Sequence, residues 1–348
     1  PDIIASTFFW LSGWQEYTTG RRDQHGRFPF DASLQASLNV PLLPVVDGYR
    51  KWLAARLEET GVEVPCRRWN NHDWAVAVTH DVDFVGTRLR SRLKSLATGR
   101  IANAFSGFGE SDPRRASLYS IHSAEQKRRV SATYFLKGGA STKHDVSYNL
   151  SRGWLQKHLE VLAEKGCEFG FHPSYAAYDS PKLFARELST LTDSVGRPVQ
   201  AVRTHFLRWT DPTTPRLIEK QGLRIDSSLG FADQVGFRRA TSYPFKLFDI
   251  DANQPLDVWE IPLIAMDTTL FSKLGFSPEQ ATSCIKEIYD VTKRVGGCAT
   301  VLWHNTLYDE KLFPRQAAAF EQSLDTAVEM GAFVGGLHEV LSAWTVNR

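Results

Sequence analysis

Residues 74–84, with the sequence WAVAVTHDVDF, form an apolar run that ends in an imidazole and two carboxylates. The apolar run predicts a buried β-strand. Ionised groups are costly to bury unless a metal ion, a proton or an opposite charge compensates them. A strand that runs into an Asp-capped turn is the simpler explanation. The rest of the chain is needed to decide between the two.

From about residue 71 onward, short apolar runs alternate with amphipathic segments that carry helix start and stop signals, such as Ser180 before Pro181. About seven strands joined by helices predict a closed or nearly closed α/β barrel, because parallel strands need crossover connections. The strand-like stretches are WAVAVTHDVDF, SATYFLKGG, CEFGFH, VQAVRTHF, LRIDSSLG, VWEIPLIAMD and CATVLWHN.

Polar side chains follow most of these strands. In α/β barrels the carboxyl ends of the strands meet at one rim, which is where their chemistry takes place. A single His or Asp at a strand end usually satisfies a local hydrogen bond or caps a helix, but a set that converges on one rim favours a functional site. The set is Asp81, Asp83, His172, Arg203, His205, Asp226, Asp267 and His304.

Two segments depart from the βα pattern. Residues 1–70 contain an aromatic cluster, a polar turn-rich stretch and one amphipathic helix, and they predict a small accessory segment that packs on or covers the barrel. Residues 86–130 form an insertion rich in Arg and Lys, in which Leu89, Leu93 and Leu96 have helical spacing. We expect a solvated basic helix there; contact with an anionic glycan or a membrane surface is the alternative.

The composition excludes several classes of protein. Of the 348 residues 42% are hydrophobic and 23% charged, which is typical of a globular protein, and the net charge of +2 is too small to suggest a nucleic-acid partner. The four cysteines form no CxxC pair. With no membrane-spanning run and no signal peptide, a cytoplasmic location is expected, although the chain does not begin with Met.

The order of the motifs resembles a known family. THDVDF, ATYFL, GFHPSY, RTHFLRW, DSSLGFADQVGFR, EIPLIAMDTTLF and LWHN are similar to motifs of the NodB-homology polysaccharide deacetylases (carbohydrate esterase family 4), in a branch with an N-terminal extension. The resemblance covers about residues 72–340. It implies a distorted (β/α)7-type barrel in residues 71–348, preceded by an accessory segment in residues 1–70.

The resemblance also implies a divalent metal ion, with Zn²⁺ first and Co²⁺ or Ni²⁺ as alternatives. Asp83 and His172 match metal ligands of the family, but the second His of the GFHPSY motif is replaced by Ala176. A mononuclear catalytic site normally uses three protein ligands, so a replacement is needed. We expect His205 to supply it, because imidazole suits the metal and His205 shares a face with Arg203 on an extended strand.

The same resemblance assigns the acid–base groups. Asp81 matches the general base, Arg203 the arginine that orients it, and His304 the general acid; His80 is expected to be structural. Asp267 is the first choice for the carboxylate that orients His304, with Asp226 as the alternative. We expect Trp209, Phe206 and Trp303 either to form an apolar or sugar-stacking wall or to pack in the core.

The function implied is a metal-dependent hydrolase that removes N- or O-acetyl groups from a sugar or polysaccharide, in surface-polysaccharide or glycan biosynthesis. Two other readings remain open. The chain could be an amidohydrolase for another small N-acyl compound, or a catalytically inactive relative that binds glycans, which the loss of the motif histidine at Ala176 permits.

Overall fold

One curved, ten-stranded sheet organises the chain beyond residue 70 in the computed structural model, which describes residues 2–65, 68–85, 113–309 and 312–346. The strands lie in the order β6-β7-β5-β4-β3-β2-β1-β9-β8, and β10 pairs with the start of β1. They are β1 (Ala75–Asp81), β2 (Thr133–Leu136), β3 (Glu168–Phe171), β4 (Ala201–Val202), β5 (Ile225–Asp226), β6 (Phe245–Asp249), β7 (Gln254–Glu260), β8 (Leu263–Met266), β9 (Cys298–Leu302) and β10 (Phe333–Gly335).

Helices accompany the strands, and this confirms the predicted α/β class. All the strand pairs are parallel except β6 with β7. Among the described strands the end strands β6 and β8 do not pair, so the sheet curls without closing. The helices of this part are α5 (Pro113–Arg128), α6 (Gly153–Glu164), α7 (Pro181–Val195), α8 (Thr213–Lys220), α9 (Pro278–Val295), α10 (Pro314–Glu329) and α11 (Leu337–Val346).

The expected single strand VWEIPLIAMD is divided in two. Strand β7 pairs with β5 and β6, whereas β8 pairs with β9 at the other end of the sheet. Pro262 lies between them and has no N–H to donate to a ladder, so the stretch does not continue as one strand. The β6–β7 hairpin was not predicted, and the expected VQAVRTHF strand shortens to β4 (Ala201–Val202).

Strand β1 is the centre of the sheet. All seven of its residues are buried, and it pairs with β2, β9 and β10. The pairing accounts for its apolar sequence, because both faces are covered. Asp81 is its last residue, so the strand carries the THDVDF motif to the rim formed by the carboxyl ends of its neighbours.

The predicted basic insertion is only partly within the described residues. Leu89, Leu93 and Leu96 lie outside them. The described part, which begins at residue 113, contains helix α5, whose Arg128 makes ion pairs with Glu321 and Asp325 of helix α10. None of the helices in the described part of the chain is long and apolar enough to cross a membrane.

The N-terminal segment is helical and is attached to the barrel by buried polar contacts. Its helices are α1 (Ile3–Leu11), α2 (Trp14–Thr18), α3 (Leu34–Ser37) and α4 (Val45–Glu59). The Gln35 side chain donates hydrogen bonds to the carbonyl groups of Phe237 and Arg238, and the Asp47 carboxylate accepts from Thr241 and Ser242. The segment therefore packs on the loop that follows β5.

Glu16 makes the strongest electrostatic contact of this interface. Its carboxylate forms a two-point pair with Arg238 and lies 3.4 Å from Arg239, and all three side chains are at most 3% exposed. Burial acts to raise the pKa of Glu16, but the two guanidinium groups outweigh it and hold the pKa below its usual value. The ionised pair is thus stabilising, and the contribution is lost as the pH falls through the lowered pKa.

We predict that Glu16→Gln lowers the free energy of unfolding by about 3 kcal/mol, because it leaves the buried Arg238 guanidinium without its carboxylate, whereas Arg239 keeps its pair with Asp211. Urea denaturation followed by circular dichroism measures the change. The matched control is Glu59→Gln, which breaks an exposed pair with Arg56 and should change stability by less than about 0.5 kcal/mol. Equal losses of stability in the two variants would mean that the buried Glu16 ion pair does not stabilise the fold more than an exposed pair does.

Candidate active site and metal centre

The predicted site residues occupy one rim of the sheet. Asp81 ends β1 and Asp83 follows two residues later, His172 follows β3, and His304 is the second residue after β9. Arg203 directly follows β4. The curvature of the sheet brings the side chains at these strand ends within about 4 Å of one another.

Asp81 is held by a buried arginine. One guanidinium nitrogen of Arg203 lies 3.2 Å from the Asp81 carboxylate and 2.8 Å from the Thr79 hydroxyl. The remaining donors of Arg203 bind the carbonyl and hydroxyl groups of Ser227, each at 2.8 Å. Burial acts to raise the pKa of Asp81, but the neighbouring imidazoles and Arg203 lower it below its usual value. Asp81 is therefore an oriented, ionised carboxylate.

His172 is fixed in one tautomer. Its Nδ1–H donates to the Arg203 carbonyl at 2.6 Å, and its Nε2 is buried without a hydrogen-bond partner among the described residues. Nε2 lies 3.7 Å from Asp81 Oδ2 and 3.8 Å from Asp83 Oδ1. Burial lowers the pKa of His172 to about 4. A neutral imidazole with a free Nε2 lone pair is the form that binds a metal ion.

His205 reaches the same point from a 3₁₀ turn, His205–Leu207. Its Nδ1–H donates to the Asp145 carboxylate at 2.9 Å, which leaves Nε2 pointing to Asp83 Oδ1 at 3.5 Å. Asp145 also accepts hydrogen bonds from the backbone of residues 141, 142 and 175. Burial acts to raise the pKa of Asp145, but these bonds hold it well below its usual value. A carboxylate behind a histidine is the usual support of a metal ligand.

Asp83, His172 and His205 therefore form a set of three donors whose ligand atoms all lie within 4.8 Å of one another. The chemistry fits a divalent ion with three protein ligands, since two imidazoles and one carboxylate form a common catalytic donor set. Two oxygen donors close to His172 in the sequence point elsewhere: the Ser174 hydroxyl donates to Glu187 at 2.6 Å, and the Tyr175 hydroxyl contacts His25 at 3.1 Å.

A buried lysine contacts two members of this donor set, Asp83 and His205. Lys137 directly follows β2 and is 3% exposed, and its ammonium group pairs with Asp83 Oδ1. Its Nζ lies 3.4 Å from His205 Nε2. Burial acts to raise the pKa of Asp83, but Lys137, foremost among the neighbouring groups, holds it well below its usual value. An ammonium group and a metal ion would thus compete for one carboxylate oxygen.

His304 lies across the site with its own carboxylate. Its Nδ1–H donates to Asp267 Oδ1 at 2.7 Å, and its backbone N–H donates to Oδ2 at 2.7 Å. Its Nε2 lies 3.9 Å from Asp83 Oδ2. Burial acts to lower the pKa of His304, but Asp267 raises it to about 9. The alternative carboxylate, Asp226, instead accepts hydrogen bonds from Ser228.

Four of these groups, Asp81, Asp83, His205 and His304, line a pocket of about 250 Å³. One side carries apolar side chains, which include Leu207, Ala232 and Met266, and these belong to one small buried cluster. Of the expected aromatic wall only Phe206 lines the pocket. Trp209 and Trp303 are 2% exposed and belong to the main hydrophobic core, which is the second of the two expected roles. The lining residues are His25, Arg27, Asp81, Asp83, His205, Phe206, Leu207, Ala232, Met266, Thr268, Lys273 and His304.

A second group of potential metal ligands, His122, Glu125 and Cys167, is buried behind β1. Both Glu125 oxygens are already engaged, one by His80 at 2.6 Å and the other by Tyr134 at 2.7 Å. The other nitrogen of His80 contacts the Trp303 carbonyl at 2.8 Å. His80 thus belongs to a hydrogen-bonded core network and points away from the pocket, as expected for a structural residue.

Four residues that contact this site were not predicted from the sequence: Lys137, Asp145, His25 and Arg27. Lys137 could have been found, because it stands at the end of the predicted strand SATYFLKGG. Asp145 lies in a loop, and His25 and Arg27 lie in the N-terminal segment about fifty residues before the first strand, so no pattern of strand ends indicates them.

Comparison with known proteins supports the fold assignment. An 18% identical protein from Mycobacterium smegmatis, provisionally described as a polysaccharide deacetylase, has a TM-score of 0.56, with 79% of this chain and 91% of that one covered. The allantoinase PuuE gives 0.58 at 14% identity, with coverages of 82% and 95%. A protein from Pseudomonas aeruginosa PAO1, also provisionally described as a polysaccharide deacetylase, gives 0.56 at 15% identity, with coverages of 82% and 95%.

These likenesses confirm the expected distorted α/β barrel fold. Residues 1–61 match a family model that is described as a family of unknown function, DUF7033. No curated protein matches the sequence.

We predict that Asp83→Ala, His172→Ala and His205→Ala each lose most of the bound divalent metal while remaining folded. Each change removes one of three ligands from the set, and the loss should be similar for the two imidazoles. Elemental analysis and chelator competition measure the metal, and circular dichroism checks the fold. A His205→Ala protein with normal metal affinity would exclude His205 as a ligand.

We predict that Lys137→Met binds divalent metal more tightly than the parent protein by about tenfold or more, because it removes a competing buried cation from Asp83. Chelator competition with Zn²⁺ or Co²⁺ measures the shift. The control is Lys286→Met, which removes an exposed lysine paired with Asp290 and should leave the affinity unchanged. Weaker binding in Lys137→Met would mean that the lysine supports the site.

Proposed function

We propose that the protein is a divalent-metal-dependent hydrolase that removes an acetyl group from an acetylated sugar. The observation that carries the proposal is that an ionised carboxylate and a protonated imidazole line one pocket, beside a set of three potential metal ligands. Asp81 is held ionised by Arg203, and His304 is held protonated by Asp267. Hydrolysis of an amide or ester needs a base and an acid of this kind.

Asp81 would act as the base. Its carboxylate would take the proton of the attacking water, and Arg203 would keep the carboxylate facing the pocket. The buried guanidinium has its other donors fixed on Ser227 and Thr79, so it holds the position of Asp81 rigidly. Arg203 is thus a positioning residue.

Asp83, His172 and His205 would hold the metal ion. Their support comes from the backbone carbonyl behind His172 and from Asp145 behind His205. When bound, such an ion lowers the pKa of a coordinated water towards roughly 7 and polarises the acyl oxygen. Zn²⁺ is the first candidate because imidazole and carboxylate ligands suit it, and Co²⁺ or Ni²⁺ are alternatives.

His304 would act as the acid. Its Nδ1 is occupied by Asp267, so Nε2 is the nitrogen that faces the pocket and could donate a proton to the departing amine or hydroxyl group of the sugar. Asp267 positions the ring and stabilises its protonated form. Leu207, Ala232 and Met266 offer an apolar surface suited to the methyl group of an acetyl substituent.

The fold comparisons agree with this proposal without deciding the substrate. Two structural neighbours carry the polysaccharide deacetylase description, and the third is named an allantoinase. The allantoinase neighbour, together with the small pocket, favours a hydrolase of another small amide as the second candidate. The motif order of the chain favours the sugar deacetylase.

The direct test is acetate release from a panel of N- and O-acetylated sugars and oligosaccharides, with allantoin and simple N-acyl amides as the comparison set. We expect acetate from at least one sugar, loss of activity with a chelator, and recovery with Zn²⁺ or Co²⁺. Turnover of allantoin or the simple amides alone would favour the second candidate function, a hydrolase of another small amide. A metal-bound protein without any turnover would support an inactive glycan-binding relative.

We predict that Asp81→Asn retains stoichiometric metal but loses activity by ~10²–10⁴-fold, since this is the usual contribution of a general base. Acetate release beside elemental analysis separates the two effects. Asp290→Asn, which alters an exposed carboxylate, serves as the control and should be fully active. Normal turnover in metal-loaded Asp81→Asn would place the base elsewhere.

A further inference from the structure

The active-site pocket has a wall that comes from the N-terminal segment. His25 and Arg27 line the pocket together with Asp81, Asp83, His205 and His304. These two residues belong to the 1–61 stretch that matches a family of unknown function. The segment therefore contributes side chains to the same pocket as the candidate catalytic residues, in addition to packing on the barrel.

The wall is a rigid turn formed by residues 23–27. The Asp23 carboxylate accepts hydrogen bonds from the backbone N–H groups of His25 at 2.8 Å and of Arg27 at 2.9 Å. It also pairs with the Arg27 guanidinium at 2.7 Å. Gly26 has a φ of +74°, a conformation that favours glycine. These bonds fix the turn before any ligand binds.

The turn is attached to the structure that carries His205. The Arg27 guanidinium donates to the Phe206 carbonyl at 3.2 Å, and Arg208 donates to the His25 carbonyl at 2.8 Å. The rings of His25 and Phe206 have centroids 4.8 Å apart. Phe206 has a φ of 62°, which is uncommon for a residue with a side chain. The wall and the 3₁₀ turn thus hold each other in place.

His25 is the group of this wall that is suited to contact a ligand. Arg27 is committed to Asp23 and to the Phe206 carbonyl. The His25 ring has one nitrogen on the Tyr175 hydroxyl at 3.1 Å and the other near the exposed Gln24 amide at 3.3 Å. The exposed amide can give way to a sugar hydroxyl, and the ring offers an apolar face for a sugar ring.

The size of the pocket limits the ligand. Pockets for drug-sized ligands usually span about 300–1,000 Å³, whereas this one is about 250 Å³. One sugar ring with its acetyl group is the unit of matching size. A pocket with room for about one ring favours a ring at a chain end, or a free monosaccharide unit, over a ring in the middle of an extended polymer.

We propose that the turn of residues 23–27 is the substrate-specificity wall of this active site, with His25 contacting a single terminal acetylated sugar ring. This inference rests on the proposed deacetylase function. His144 offers a matched control: its ring contacts those of His25, Tyr175 and Phe206 at 5.7, 4.4 and 5.7 Å, but it does not line the pocket.

The experiment compares the full-length parent protein with His25→Ala and His144→Ala. Acetate release is measured on an acetylated monosaccharide and on two hexasaccharides, one acetylated only on a terminal ring and the other only on an internal ring. We expect His25→Ala to raise KM by several-fold to about tenfold with little change in kcat, as removal of a binding contact predicts. His144→Ala should retain the parent KM, and the parent should prefer the terminal ring.

Saturation-transfer NMR with the acetylated monosaccharide provides a second readout that needs no turnover. Sugar binding should be weakened in His25→Ala and unchanged in His144→Ala, and metal content should be equal in all three proteins. If no acetylated sugar is hydrolysed, the proposed function fails. The NMR comparison then still tests whether His25 contacts a sugar. Equal KM and binding in the two variants, absence of sugar binding by the parent, or equal cleavage of internal and terminal rings would overturn the inference.

Discussion

Asp81 and Asp83 bring two negative charges to the end of a buried strand, and the surrounding residues compensate for them. Arg203 is fixed on Asp81, Lys137 is paired with Asp83, and His304, whose pKa is raised by Asp267, presents Nε2 3.9 Å from Asp83. His172 and His205 present Nε2 lone pairs within 4 Å of the same two carboxylates, so these two imidazoles prepare the place for a cation. Each imidazole is held by a partner on Nδ1. Without such compensation the carboxylates would be protonated or the strand end would be destabilised. Under the proposed function the same arrangement would supply a base, an acid and a metal donor set.

The N-terminal segment stabilises this rim from outside. Glu16 pairs with Arg238 and lies 3.4 Å from Arg239 in the loop after β5, and the turn of residues 23–27 binds the 3₁₀ turn that carries His205. Both contacts join parts of the chain that are distant in sequence, so they are formed only in the folded state. A segment matching a family of unknown function thus contributes to the stability of the barrel and to one side of its pocket.

The sequence predicted the parts of the structure that follow from local pattern. The apolar run before Asp81 and the alternation of strands and helices were sufficient for the α/β class, and strand ends indicated most of the rim. His205 was expected to reach the site as part of an extended strand, but β4 ends at Val202 and His205 lies on a 3₁₀ turn in which Phe206 and Leu207 have positive φ values. Lys137 also directly follows a predicted strand, but it was not included among the expected rim residues. Asp145 and His25 come from loops, whose positions depend on tertiary contacts.

The proposed function requires that Asp83, His172 and His205 together hold one divalent ion beside Asp81. The most direct measurement is an anomalous-difference electron density map from a crystal loaded with Zn²⁺ and measured at the zinc absorption edge. We expect one strong peak in contact with Asp83 and the Nε2 atoms of His172 and His205, with the Lys137 ammonium group displaced from Asp83. A peak at His122, Glu125 and Cys167 alone, or an intact Lys137–Asp83 pair at saturating Zn²⁺ with no peak beside it, would contradict it.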